Sequence, residues 1–129
     1  LQPTSPFRSS YDIDRAAKLL LDKSADSIIS VTECEHPPEW SNPVDDSLLM
    51  NMHYQSIDPR KNSQQLKKSF RINGAIYLIS IKKLIECKAL MFKDKTFAYI
   101  MGKNKSIDID DDFDWMLAES NIKFSKVSL

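Results

Sequence analysis

From Ile13 onward the apolar residues fall at Ala16, Ala17, Leu20 and Leu21, an i, i+3, i+4, i+7, i+8 stripe that predicts an amphipathic helix over about 10–23. Ser9 and Asp12 stand at capping-box spacing just ahead of the stripe, which gives the helix a start signal. The pattern then changes period. SIISVTEC (27–34) is rich in β-branched residues and reads as a strand that follows the helix at once. EHPPEWSNPVDDS (35–47) carries three prolines, which remove backbone donors and exclude regular helix. LLMNMHYQ (48–55) has a strand-like mix and SIDPRKNS (56–63) is a polar, turn-rich connector, so 35–69 is expected to leave the core as a hairpin arm. GAIYLISI (74–81) is the clearest strand. IKKLIECK then predicts a short helix, TFAYIM (96–101) another strand, and Phe113, Met116, Leu117 and Ala118 a last helix. The order α-β-arm-β-α-β-α predicts an α/β fold with a mostly parallel sheet and flanking helices.

Composition narrows what such a fold can do. The 129 residues suit one domain or part of one, and 42% hydrophobic residues suffice for a core. Lys plus Arg and Asp plus Glu are equal at 18 each, so no global field draws the chain to nucleic acid or to an anionic membrane surface. Cys34 and Cys87 lie far apart with no CxxC spacing, which argues against a zinc site or disulfide framework and fits a reducing compartment. No apolar run approaches the roughly 20 residues that cross a bilayer, and a cytoplasmic location is the default expectation. The opening LQPTSPFRSS has no initiator Met and reads as if cut from something longer.

One stretch asks for an explanation. SIDIDDDFDW (106–115) places Asp108, Asp110, Asp111, Asp112 and Asp114 within seven positions, and adjacent carboxylates repel unless a cation, a helix N-terminus or solvent accounts for them. They fall between a predicted strand and a predicted helix, where open α/β sheets bind ligands. Asp108 and Asp110, at i and i+2 of an extended segment, would point to one side and suit Mg²⁺ with bound phosphates, with Ile107 and Ile109 facing the core. Asp111, Asp112 and Asp114 are better explained by the dipole of the following helix. Asp108, Asp110, Asp112 and Glu119 also occupy positions 1, 3, 5 and 12 of an EF-hand loop, but Phe113 stands where position 6 needs Gly.

Four segments in order, LQPTSPFR (1–8), ADSIISVTECEHPPEW (25–40), FRINGAIYLI (70–79) and YIMGKNKSIDIDDDFDWMLAE (99–119), resemble the acylneuraminate cytidylyltransferases. That resemblance implies a Rossmann-like, nucleotide-diphospho-sugar transferase-like domain. The implied reaction transfers CMP from CTP to the anomeric hydroxyl of a sialic or related nonulosonic acid, with release of pyrophosphate. It also implies metal-binding, catalytic roles for Asp108 and Asp110 with Mg²⁺ or Mn²⁺, and sugar contacts from Gln2, Arg71, Asn73, Tyr77 and Phe92. The residues themselves leave alternatives open: a turn-stabilising amide for Gln2, an ion pair for Arg71, packing for Tyr77 and Phe92. Sister enzymes acting on legionaminic or pseudaminic acid share these motifs, and a catalytically silent dimerisation fragment is the reading from another class.

Two departures from the family pattern qualify the resemblance. Ser63 stands where family members carry an Arg before the segment here written QQLKK, with Arg60 and Lys61 as the nearest cations. The family's CTP site also depends on a glycine-rich N-terminal segment, whereas Gly74 and Gly102 are the only glycines in these 129 residues. Residues 1–129 are therefore expected to be the C-terminal part of a cytidylyltransferase domain, holding the metal and sugar half of the site. The arm at 35–69 carries Trp40, Leu48, Leu49, Met50, Met52, Tyr54 and Leu66, more apolar surface than a free loop leaves in water. A homodimer through residues 40–55 is expected, with Arg60 or Lys61 reaching toward the neighbouring subunit's sugar site.

Overall fold

A computed structural model describes residues 1–56 and 67–127; Ser63, Arg60, Lys61 and Leu66 lie outside the described residues. The chain forms two compact units, one made of Leu1–Thr32 with Ile72–Leu129 and the other of Glu33–Arg71.

In the first unit, helix α1 (Ser10–Asp22) begins where the sequence signals it. The Ser9 hydroxyl accepts from the Asp12 amide while the Asp12 carboxylate accepts from the Ser9 amide, a complete capping box. Strand β1 (Ser27–Glu33) follows, and residues 27–32 are all buried. Strand β2 (Phe70–Ile79) starts four residues before the expected point, because Phe70 and Ile72 extend the strand-forming run through Gly74. Helix α3 is Ile81–Cys87, to be numbered after the short α2 (Asn51–Ser56) of the second unit, and β3 is Thr96–Ile100. A 3₁₀ turn at Lys103–Lys105 and helix α4 (Asp112–Val127) complete the order.

The sheet has three strands in the order β2-β1-β3. β1 and β3 are parallel, with Ser27 beside Thr96 and Val31 beside Ile100. β2 runs the other way: the Ser80 amide donates to the Asp26 carbonyl at one end of the pair, and Ser30 faces Ile76 in its middle. The sheet is thus mixed rather than mostly parallel. Antiparallel neighbours need no crossover across the sheet, whereas a parallel return does. Ala16, Ala25, Ile28, Ala75, Ile76 and Met101 form the core, with Ile13, Leu19, Leu20, Leu78, Phe97 and Tyr99 packed against it. Helix α4 forms as expected, yet Phe113, Trp115, Met116 and Leu117 stay exposed and Ala118 is buried.

The second unit corrects another expectation. Residues 48–55 are not a strand: Leu48 has φ of 59° and closes a turn on the Asp45 carbonyl, and Asn51 opens α2. LLMNMHYQ contains no β-branched residue, and its Leu, Met and Gln are good helix formers, so a hairpin had little local support. Trp40, Leu48, Leu49, Met50 and Met52 are exposed, and the rings of His36 and Trp40 stack with centroids 6.3 Å apart. Among the described residues no helix is long and apolar enough to cross a membrane.

Candidate functional site

Three motif segments meet in the first unit through buried polar contacts. The centre is Asn73, 1% exposed on β2. A buried amide must place two donors and an acceptor carbonyl, and here partners come mostly from distant segments of the chain. Its Oδ1 accepts from the Ser30 hydroxyl at 2.6 Å and from the Ala75 amide at 3.3 Å. Its Nδ2 donates to the Ser106 hydroxyl at 2.8 Å and lies 3.6 Å from the Met101 sulfur. Ser106 in turn donates to the Gly102 carbonyl at 2.8 Å, which closes the turn after β3. Ser30 is why β1 can carry polar residues in a buried run; the Ile76 amide donates to its hydroxyl at 2.7 Å. Thr32, on the same strand face and fully buried, has a hydroxyl without a hydrogen-bond partner among the described residues.

The LQPTSP loop packs over this centre. Ser5 is fully buried, with its hydroxyl 3.1 Å from the Asn73 carbonyl and 3.3 Å from Oδ1 of Asp108. Arg8 ties the loop by donating from Nη1 to the carbonyls of Gln2 and Ser5. The amide of Ile109 donates to the Thr4 carbonyl at 2.9 Å, stitching the SIDID segment to the same loop. Gly74, with φ of 73°, leaves the space that the loop fills: a Cβ there would lie 1.9 Å from Oε1 of Gln2 and 3.1 Å from the Ser5 hydroxyl. Glycine is required both by the backbone angle and by this approach.

The aspartates separate into roles. Asp108 is half-buried and Asp110 exposed. Ile107 and Ile109 are half-buried as well, so the strict in-and-out alternation expected of 107–110 is absent. Asp111 caps α4 by accepting from the Asp114 amide at 2.9 Å, and Asp114 accepts from the Asp110 amide at 3.1 Å. Two of the five carboxylates thus complete a helix start, where the dipole favours them. Among the described residues no group of three or more His, Cys, Asp or Glu side chains gathers to hold a metal ion.

A second cluster fixes the turn that precedes Asp108. Lys105 reaches Asp12 at 2.8 and 3.0 Å, and the Tyr99 hydroxyl donates to Asp12 at 3.3 Å. Burial alone would raise the Asp12 pKa, but hydrogen bonds from Lys105 and Ser9, with the Lys105 charge, outweigh it and hold the carboxyl below its ordinary value. Tyr99 moves the other way, pushed up by burial and by the Asp12 charge and hydrogen bond.

Of the residues expected to form a sugar site, Gln2 and Asn73 are brought together with Asp108. Asn73 is internal and its amide is spent on protein partners. Tyr77 is half-buried on β2; Phe92 is half-buried before β3, its amide donating to the Thr96 hydroxyl at 2.6 Å. Arg71 belongs to the second unit, where its guanidinium pairs with Glu35 at 3.3 and 3.4 Å on partly exposed surface. Sequence reasoning did not pick out Ser5, Ser30, Ser106 or Lys105. The available signal was serine inside an otherwise apolar strand, SIISV, and a second serine between the prolines of PTSP.

An α/β domain with a polar junction after its parallel strands is a general ligand-binding class, and sequence comparison makes it specific. No family model matches the chain. It is 36% identical over 120 residues to an N-acylneuraminate cytidylyltransferase of Escherichia coli O18:K1:H7, covering 92% of this chain and 28% of that protein. An enzyme of the same name from Streptococcus agalactiae serotype V is 32% identical over 116 residues, 88% of this chain and 27% of the relative. CMP-N,N'-diacetyllegionaminic acid synthase of Legionella pneumophila is 28% identical over 131 residues, 100% of this chain and 55% of the relative. The chain belongs to the acylneuraminate cytidylyltransferase family. It spans between about a quarter and about half the length of these relatives.

Proposed function

We propose that the protein forms the metal- and sugar-binding half of a cytidylyltransferase site that transfers CMP from CTP to the anomeric hydroxyl of a nonulosonic acid, releasing pyrophosphate. The observation that carries this reading is the Ser5 junction, where the LQPTSP loop, the NGAIY strand and the SIDID segment meet on one hydroxyl. The donor set fits Mg²⁺ or Mn²⁺ bound with substrate: two hard carboxylates, Asp108 and Asp110, suit an ion that keeps waters and phosphate oxygens rather than a full protein cage. Such an ion, when bound, would neutralise charge on the triphosphate.

The chain's own residues then divide the work. Gln2, exposed beside Gly74, offers an amide to sugar hydroxyls. Arg71 binds the sugar carboxylate by exchanging it for Glu35, a pair weak enough on partly exposed surface to be replaced. Asn73 holds the junction together from inside, and Tyr77 and Phe92 line the sugar. The exposed residues of 40–55 pair two copies into a dimer. A legionaminic-type substrate is the second reading, favoured by the full-length match of this chain to the Legionella enzyme.

Mass spectrometry of reactions of the intact protein with CTP, Mg²⁺ and a panel of nonulosonic acids tests the proposal. A CMP-sugar with one acid of the panel is expected. CTP left unreacted with every acid, by protein that is folded and dimeric, would favour the catalytically silent dimerisation reading instead.

A further inference from the structure

We infer that Ser5 is the positioning residue for Asp108, and that it sets the cation affinity of this site through the orientation of one carboxylate; the inference rests on the proposed metal role of Asp108. A serine hydroxyl has a single proton. Ser5 is fully buried and offers it to two acceptors, the backbone carbonyl of Asn73 at 3.1 Å and Oδ1 of the half-buried Asp108 at 3.3 Å. A hydroxyl held beside Oδ1 favours one rotamer of the carboxylate, so Oδ2 is presented with less search over orientations.

The surroundings prevent Ser5 from simply moving away. Arg8 grips its carbonyl, the Ile109 amide is bonded to the carbonyl of Thr4, and Gly74 lies close beside it, where a Cβ would fall 3.1 Å from its oxygen. The loop and the aspartate segment are therefore one piece, and the hydroxyl is the point at which that piece touches the carboxylate. Among the described residues no comparable hydrogen bond reaches the Asp110 side chain, whose backbone amide donates to Asp114 instead. The two carboxylates differ accordingly: Asp108 is preset by Ser5, and the exposed Asp110 carries no such restraint among the described residues.

The test is Mn²⁺ binding to the intact protein, read by electron paramagnetic resonance of the free ion and independent of turnover. Ser5→Ala should weaken Mn²⁺ about tenfold, the equivalent of about 1.4 kcal/mol, as expected for one hydrogen bond to a charged group. In an Asp108→Asn background the same substitution should change affinity less than about twofold, because a residue acting only through Asp108 has nothing left to act on. In an Asp110→Asn background the tenfold effect should persist. Ser5→Cys, close in size and a weak donor, should give an intermediate loss and serves if the alanine variant fails to fold. Unchanged Mn²⁺ affinity in Ser5→Ala and Ser5→Cys overturns the inference while leaving the metal site standing. An equal loss with and without Asp108 also overturns it. Absence of Mn²⁺ binding in the wild-type protein removes the metal reading itself and the inference with it.

Discussion

Replacing Gly74 with alanine tests the junction more sharply than removing any of its hydrogen-bonding groups, because it adds one methyl where three segments meet. Two costs arise. A non-glycine residue at φ of 73° is strained by about 1–2 kcal/mol. The new Cβ would also lie 1.9 Å from Oε1 of Gln2 and 3.1 Å from the Ser5 hydroxyl. Gln2 is exposed and its amide can swing out, costing about 0.5–1 kcal/mol in rotamer strain, whereas buried Ser5 must give by a few tenths of an ångström. The sum, about 2–3 kcal/mol, corresponds to a fall in Tm of about 6–12 °C for a domain of this size. Thermal unfolding of Gly74→Ala, of Gln2→Ala and of the double variant separates the terms. The double variant should recover the Gln2 part and retain the backbone part. The sugar KM should rise in Gly74→Ala by about as much as in Gln2→Ala, since both displace the same amide. A Gly74→Ala protein within about 1 °C of wild type, with unchanged KM, would refute the packing described for this junction.

Lys105→Met should lower stability by about 1–2 kcal/mol at neutral pH, a figure kept low because Lys105 is 36% exposed. The Asp12 pKa is depressed by folding, so its contribution is present above the unfolded value near pH 4 and is lost as pH falls through the folded value; denaturant titrations should show wild type and variant converging below about pH 4. A gap of constant size down to pH 2 would contradict the ion pair. Changing Leu49 and Met52 together to Asp should give monomers by light scattering with little loss of Tm, since both side chains are more than half exposed. A double variant that remains dimeric would move the interface elsewhere.

Local features were legible in the chain and long-range polar ones were not. The Ser9–Asp12 box depends on neighbours within one turn and stands in the structure; of the α1 stripe, Ile13, Ala16 and Leu20 lie in or against the core, whereas Leu21 is exposed and Leu19 packs inward instead. The helix-start roles of Asp111 and Asp114 were readable for the same reason. Residues 48–55 were misread because short apolar runs of Leu and Met carry no period that separates strand from helix. The direction of β2 was hidden too, since a long excursion between strands gives no sign of which way the chain returns. The Asn73 centre joins Ser30, 43 positions away, and Ser106, 33 positions away, and no local pattern encodes such partners. Resemblance marks a position and not an orientation: the Asn73 amide faces inward, onto Ser30, Ala75 and Ser106. Ser5 was overlooked because a serine between prolines is an ordinary turn residue until its hydroxyl is seen beside Asp108.

The central claim, that Asp108 and Asp110 carry the chemistry, is tested most directly by turnover of Asp108→Asn and Asp110→Asn in the intact protein, with CTP and the accepted sugar at saturating Mg²⁺. Each variant should lose about 10²–10³-fold or more in kcat, the scale seen when a group that stabilises developing charge is removed, while Tm stays within about 3 °C of wild type. Wild-type turnover in either variant would contradict the assignment.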